Sequence, residues 1–261
     1  PRISVNPSLT IFITRWSGRT DFKTAAPTAS LRIDSMNCFT TETATSLASK
    51  INTTLTNYNT TNLAQFDGAF RHSKVTGLID DTDTSITSNI TTVTLAHNLT
   101  PTLSTATAYT IQLNNAFYNP HSGHNSSSGG VLASTGFKVS GDTTNVQFFD
   151  DDGAGNIRRY ILVAGVRQYQ DSTAGTITYS TGEIKISSIN IISVENVDEV
   201  ASSAIRLTVT PDSLDIIPVR NQILKIDFIN TNINGSLDTI ATGDSSSGTT
   251  ATTTSTYVTP S

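Results

Sequence analysis

From residue 102 to residue 230 the chain is a succession of short runs of β-branched and aromatic residues, each closed by a turn signal. The runs are 108–118, 131–139, 146–149, 158–166, 176–179, 183–194, 205–210 and 223–229. Between them stand Asn119-Pro120, Ser140-Gly141-Asp142, Asp152-Gly153-Ala154-Gly155, Thr181-Gly182 and Pro211-Asp212. Asn, Asp, Gly and Pro supply the backbone geometries that reverse a chain. Many short strands at such spacing specify an antiparallel sandwich or barrel-like domain, and Gly182 between two runs reads as a hairpin. No period of 20–50 residues repeats, which argues against a solenoid or propeller.

Residues 1–101 read differently. Residues 8–16 alternate Leu9, Ile11 and Ile13 with Thr10, Phe12 and Thr14, as a buried strand would. The stretch 17–39 has no clear period and is expected to be loop with one short strand. From Thr41 onward Leu47, Ile51, Leu55 and Tyr58 recur at helical spacing, with Thr40 or Thr41 as N-cap and Glu42 near the positive end. Thr and Asn fill the intervening positions and are poor helix formers, so this helix must be held by a core. A second helix is expected over 70–80, where Val75, Leu78 and Ile79 form one face. Residues 89–99 then alternate, with Val93, Leu95, His97 and Leu99 on one side. The predicted fold class is α+β and β-rich. A small mixed α/β domain (1–101) is followed by an antiparallel β domain (102–234) and a Ser/Thr-rich low-complexity tail (235–261). Such a tail cannot bury enough apolar surface to offset the entropy of ordering.

Only 14% of residues are charged, against about 25% in an average globular protein. Ser and Thr make up 29% of the chain and Asn adds 20 residues, so the surface is coated with neutral hydroxyls and amides. No run of apolar residues is long enough for a membrane span. Sixteen Lys+Arg against 21 Asp+Glu, without a basic cluster, leave no footprint for nucleic acid. The single cysteine, Cys38, excludes an internal disulfide framework and a Cys-rich zinc module. No secretory signal pattern is visible, and the opening Pro1 with no initiator Met agrees with a fragment.

Chemistry-bearing residues are few. His121 and His124 lie three apart beside Gly and Asn, with no carboxylate or thiolate near to complete a metal site. His97 falls on a strand face as a structural histidine, and His72 has no visible partner. Asp150-Asp151-Asp152-Gly153 opens like a calcium loop, but Ala154 stands where a third ligand belongs and Ile161 occupies the twelfth position. A hairpin tip is the better reading. There is no nucleophile elbow and no P-loop, and Cys38 has no basic neighbour. Asp80-Asp81 and Asp212/Asp215 read as solvated turn charges. No catalytic residue, cofactor site or metal site is expected, and the Asn-x-Ser/Thr triplets are what so Thr-rich a chain gives by chance. The profile is that of a protein whose work is contact.

Five segments carry a resemblance. HSKVTGLIDDTDTSITSNITTV (72–93), LTPTL (99–103), VQFFDDDGAGNIRRY (146–160), GTITYSTGEIKISSINI (175–191) and above all PDSLDIIPVRNQILKID (211–227) resemble the baseplate wedge subunits of contractile-tail, T-even-like phages, and more distantly J-like baseplate proteins. The matches run in order from about residue 60 to residue 230 and look like the C-terminal portion of a longer subunit. The resemblance implies a non-catalytic virion component, assembled in the host cytoplasm, of which two copies pair within a wedge. The pairs link wedges into the inner ring around the tail hub, in contact with other wedge proteins. Self-contact is expected near the helix of Leu47, Ile51 and Leu55 and the strand of Val93 and Leu95, and again at the turn of Arg220 and Gln222. The alternative is a secreted or surface carbohydrate-binding or adhesive β-domain, which needs an exposed aromatic platform; Trp16, Phe148, Phe149 and Tyr160 are its candidates.

Overall fold

The computed structural model describes residues 3–15, 29–38, 43–196, 202–219, 222–228 and 231–237. The first part is β1 (Ile3–Arg15), β2 (Ala29–Cys38), α1 (Ala44–Tyr58), a π-helical turn (Asn59–Leu63), α2 (His72–Asp80) and β3 (Ile86–Leu99). The expected short strand within 17–39 is the ten-residue β2, antiparallel to β3. Trp16 and the rest of 16–28 lie outside the described residues.

The first helix starts later than Thr40 or Thr41 would have it. Thr43 is the N-cap, and its hydroxyl accepts from the Ser46 amide at 3.2 Å. Leu47, Ile51, Leu55 and Tyr58 are all buried, as their spacing requires. The poor helix formers between them are accommodated by back-bonding. The hydroxyls of Thr53, Thr56, Thr60 and Thr61 each donate to the carbonyl four residues earlier. Past Tyr58 the ladder widens into the π turn, and Asn59 Oδ1 accepts from the Ile226 amide at 2.8 Å, fixing the helix end to a distant strand. In α2, Val75 and Ile79 are fully buried and Leu78 packs against the same core.

The second part contains β4 (Ala106–Gln112), β5 (Leu132–Ser134), β6 (Phe137–Val139), β7 (Asp142–Asp151), β8 (Asn156–Val163), β9 (Val166–Thr178), β10 (Glu183–Val194), β11 (Ile205–Val209), β12 (Gln222–Ile226) and β13 (Asn232–Leu237). Strands β7, β8, β9, β10 and β6 pair in that order, and β6 pairs back to β7, closing a five-stranded antiparallel barrel. Its interior includes Phe137 stacked on Phe149, with centroids 4.5 Å apart, together with Ile157, Ile184 and Ile191. β4 adds to β10 outside the ring. The fold is thus α+β and β-rich, with both helices in the first hundred residues.

Three strand-like runs break where backbone geometry demands it. The run 108–118 leaves its ladder at Gln112, and Asn114 adopts φ +55° just beyond. The run 131–139 splits at Gly136, where a Cβ would lie 2.4 Å from Val146 Cγ1. The run 158–166 is a hairpin: Ala164 (φ +51°) and Gly165 (φ +79°) both take left-handed geometry, the signature of a two-residue turn between twisted strands. The first residues of the low-complexity tail are drawn into the sheet. Gly235, Ser236 and Leu237 belong to β13, which pairs antiparallel with β1; residues 238–261 lie outside the described set.

Strands from both sides of Pro101 share ladders. β11 lies between β3 and β5, and β12 and β13 both pair with β1. Among the described residues no helix is long and apolar enough to cross a membrane.

Candidate functional site: an acidic turn and two exposed apolar segments

The most densely bonded polar cluster is the β7–β8 turn with the loop laid over it. Asp150 and Asp151 are 1% and 0% exposed. Buried carboxylates are tolerable only when paired and fully hydrogen-bonded, and these are. Asp150 receives Arg158 through two nitrogens (2.9 and 3.2 Å), Arg167 Nη1 (2.9 Å) and the Tyr169 hydroxyl (3.0 Å). Burial pushes its carboxyl above the usual range, while Arg158, Tyr169 and Arg167 pull it back. Asp151 accepts from the amides of Val131 and Leu132 (both 2.7 Å) and Gly153 (3.1 Å), and from the Tyr179 hydroxyl (2.6 Å). Burial and the Asp151 carboxylate push the Tyr179 phenol far above the ordinary tyrosine range. Asp152 accepts from the amides of Ala154 and Asn156 and from the Asn156 side chain.

Every carboxylate here thus has its oxygens committed to N–H or O–H donors, as in a turn anchor and unlike an open cation loop. The covering loop, 119–130, can lie so close because of its glycines. A Cβ on Gly129 would sit 1.7 Å from Arg167 Nη1, and one on Gly130 2.1 Å from Asp151 Oδ1. Asn119 and the Gly123 amide both donate to the Gly153 carbonyl from above.

The histidines are accounted for locally. His121 Nε2 and His124 Nδ1 are 3.3 Å apart, with His124 edge-on to Tyr118. Among the described residues no group of three or more His, Cys, Asp or Glu could hold a metal ion. His97 is held neutral by burial, its pKa lowered to about 4. His72 does have partners: its ring nitrogen meets the Thr91 carbonyl at 2.9 Å and its amide donates to Asp215 at 2.9 Å. Asp215 also binds Arg71 at 2.9 Å, so it caps α2 across 143 residues of sequence instead of lying solvated in a turn. The side chain of Cys38 lies outside the described set.

The residues nominated for self-contact are taken up within the chain. Leu47, Ile51, Leu55, Val93 and Leu95 are all buried core. Gln222 is buried as well, its amide bonded to the Val219 N–H and the Gln112 carbonyl. Arg220 lies outside the described residues. What α1 turns outward is a neutral face of Asn52, Thr53, Thr56 and Asn57. Of the aromatic candidates of the alternative reading, Phe149 is fully buried, Tyr160 is buried with Arg167 over its ring at 4.8 Å, and Phe148 is stacked on Tyr160 at 5.5 Å.

Exposed apolar side chains are instead most clustered in two segments whose apolar residues were not nominated for contact from sequence. One is the β8–β9 hairpin tip, with Leu162, Val163 and Val166, the last 70% exposed. The other is the strap 211–219, where Leu214, Ile217 and Val219 face solvent, Ile217 at 53%. The strap is pinned beneath by Ile216, which is fully buried and bonded to Phe70, and by Asn115, which bonds both main-chain groups of Ile217. A signal for the first was present. In Ile161-Leu162-Val163-Ala164-Gly165-Val166 the apolar residues are consecutive, and a strand with two faces must then send some of them outward. A rigidly pinned apolar segment is a surface suited to binding another protein.

Comparison with known proteins bears on the same chain. No curated protein matches it. Residues 34–98, covering half of β2 and the unit α1, α2 and β3, match a family model described as baseplate structural protein gp6, C-terminal domain III. The match supports a structural role in a phage baseplate, located in the virion tail.

Proposed function

We propose that this chain is a wedge subunit of a contractile-tail baseplate that pairs with a second copy and links wedges into the inner ring, together with other wedge proteins. The observation that carries the reading is the match of residues 34–98 to a baseplate structural domain. The architecture is compatible with it. The apolar strap 211–219 immediately precedes Arg220 in the sequence, and it offers a contact that the buried residues of α1 and β3 do not. A ring of repeated contacts needs only modest affinity at each, because closure makes them cooperate. The uncharged face of α1 can be covered without the desolvation cost that charges would bring.

The test is light scattering of the purified chain from micromolar to hundreds of micromolar, beside the double variant Ile217→Asp, Val219→Asp. The expected result is a dimer that the variant converts to monomer while its circular dichroism is unchanged. A chain that stays monomeric throughout, or a variant that dimerises as before, overturns pairing through the strap.

A further inference from the structure

The loop that covers the acidic turn brings two histidine nitrogens together. It is seated from below: the Gly123 amide and the Asn119 side chain both donate to the Gly153 carbonyl, at 2.9 and 3.1 Å. Gly153 has φ +71°, and a Cβ there would lie 2.5 Å from the His124 carbonyl oxygen, so loop and turn are in close contact. Within the loop the His124 amide donates to the His121 carbonyl at 3.1 Å, and Gly123 at φ +78° completes the reversal. That reversal sets the two imidazoles side by side, with centroids 5.0 Å apart and planes at 83°. The Tyr118 ring stands edge-on to His124 at 5.4 Å and backs it. His121 is exposed and His124 half-buried, so an ion reaches the pair from solvent.

Hydrogen bonding fixes which nitrogen of His121 carries the lone pair. The Ser122 carbonyl lies 3.2 Å from His121 Nδ1 and can only accept, so Nδ1 carries the proton and Nε2 presents a lone pair. A carbonyl on the far ring nitrogen is also the outer partner that a metal-binding histidine ordinarily has. His121 Nε2 lies 3.3 Å from His124 Nδ1, and that spacing has a meaning in coordination geometry. Tetrahedral zinc with Zn–N bonds of about 2.0–2.1 Å holds neighbouring nitrogens about 3.3–3.4 Å apart. A square-planar ion with equal bonds needs about 2.8–3.0 Å. When the His124 proton passes from Nδ1 to Nε2, both facing nitrogens have a lone pair to give, with no net change in protonation. A modest rotation of the exposed His121 ring then aims both at one ion.

We propose that His121 Nε2 and His124 Nδ1 form a binding site for a tetrahedral divalent ion of the zinc class, with water in the remaining positions. Imidazole suits such an ion, whereas calcium and magnesium take oxygen ligands. Two protein ligands make the site exchangeable, in contrast to a closed structural centre. Binding is to the purified chain and does not depend on the baseplate reading. The experiment titrates zinc chloride into the ¹⁵N-labelled chain, followed by ¹H–¹⁵N NMR of the histidine rings and by calorimetry. The expected result is saturable binding of one ion per chain. His121 Nε2 and His124 Nδ1 should shift together, and the His124 ring proton should move from Nδ1 to Nε2. Losing even an outer partner of a metal ligand costs about 10–100-fold in affinity, so His121→Gln and His124→Gln should each weaken binding about tenfold or more with unchanged circular dichroism. Because His121 is exposed, its variant keeps the test valid even where the His124 variant disturbs the loop. Binding that fails to saturate, that survives the loss of His121, or that shifts only one of the two rings overturns the proposal. So does magnesium chloride producing the same shifts.

Discussion

Replacing Asp151 by Asn changes one oxygen to an NH2 and removes one charge, at a site with no room and no water access. The carboxylate is 0% exposed and holds four donors. The amides of Val131 and Leu132 both reach Oδ1, so an asparagine that keeps its oxygen there retains those two bonds, weakened by loss of charge. At the other position its NH2 faces the Tyr179 hydroxyl and the Gly153 N–H. The hydroxyl can rotate and accept, but the Gly153 N–H is left against another donor. An orphaned buried donor costs about 1–3 kcal/mol, and hydrogen bonds to charged groups are worth about 1.5–3 kcal/mol each against roughly 1 for neutral ones. Together these give a loss of about 3 kcal/mol, or about 6–12 °C in Tm for a chain of this size. Urea unfolding followed by circular dichroism measures it directly. Tyr179→Phe should cost about 1.5–3 kcal/mol alone and less than that in the Asp151→Asn background, because the two share one bond. An Asp151→Asn variant within about 0.5 kcal/mol of the parent, the usual range for a surface substitution, would refute the idea that this carboxylate pins loop 119–130.

Other perturbations test other parts of the structure. His97 has its folded pKa lowered to about 4 against about 6.5 unfolded. Stability should therefore fall as pH drops from about 6.5 to about 4, by up to about 3 kcal/mol, and His97→Gln should remove that slope in urea unfolding at pH 7 and pH 4.5. Asp83, bonded to Lys50 at 2.6 Å and to Ser85, is lowered to about 2. Its contribution is present above the unfolded value near 4 and is lost as pH falls through about 2; since Lys50 is 41% exposed, Lys50→Met should cost only about 1 kcal/mol at pH 7, and clearly less at pH 2. Leu55→Ala, at a fully buried position of α1, should cost about 2–5 kcal/mol in the same assay. Millimolar calcium should leave the Tm unchanged, since the oxygens of Asp150, Asp151 and Asp152 are already committed to protein donors.

Periodicity found both helices and placed Leu47, Ile51, Leu55, Val75 and Ile79 in the core, because a helix with one apolar stripe has one way to bury it. The same signal does not locate contacts with other molecules. A stripe of apolar residues cannot say whether its cover is another part of the chain or another molecule, and here the chain covers its own. Leu162, Val163 and Val166 escaped notice because an unbroken apolar run hid the reversal at Ala164 and Gly165. β13 was hidden for a different reason: Gly235 and Ser236 have weak preferences of their own, and β1 supplies the ladder from more than two hundred residues away. Asp215 capping α2 is likewise a long-range bond with no local signature. The Asp150, Asp151 and Asp152 turn was legible as a hairpin, but the arginines and tyrosines that serve it come from two other strands.

Residues 205–219 touch both parts of the molecule. β11 is stitched to β3 on one side and to the three residues of β5 on the other. Thr210 accepts from the Tyr118 amide and the strap bonds Ala116 beside the barrel, then Phe70 and His72 at the start of α2. Mechanically this stretch is a tendon. A pull on the barrel reaches the helices through it, and β5 with its three paired residues is a short ladder in that path. In an assembly under load, strain would concentrate there, and the apolar strap that faces outward would shift in step with α2, which it caps.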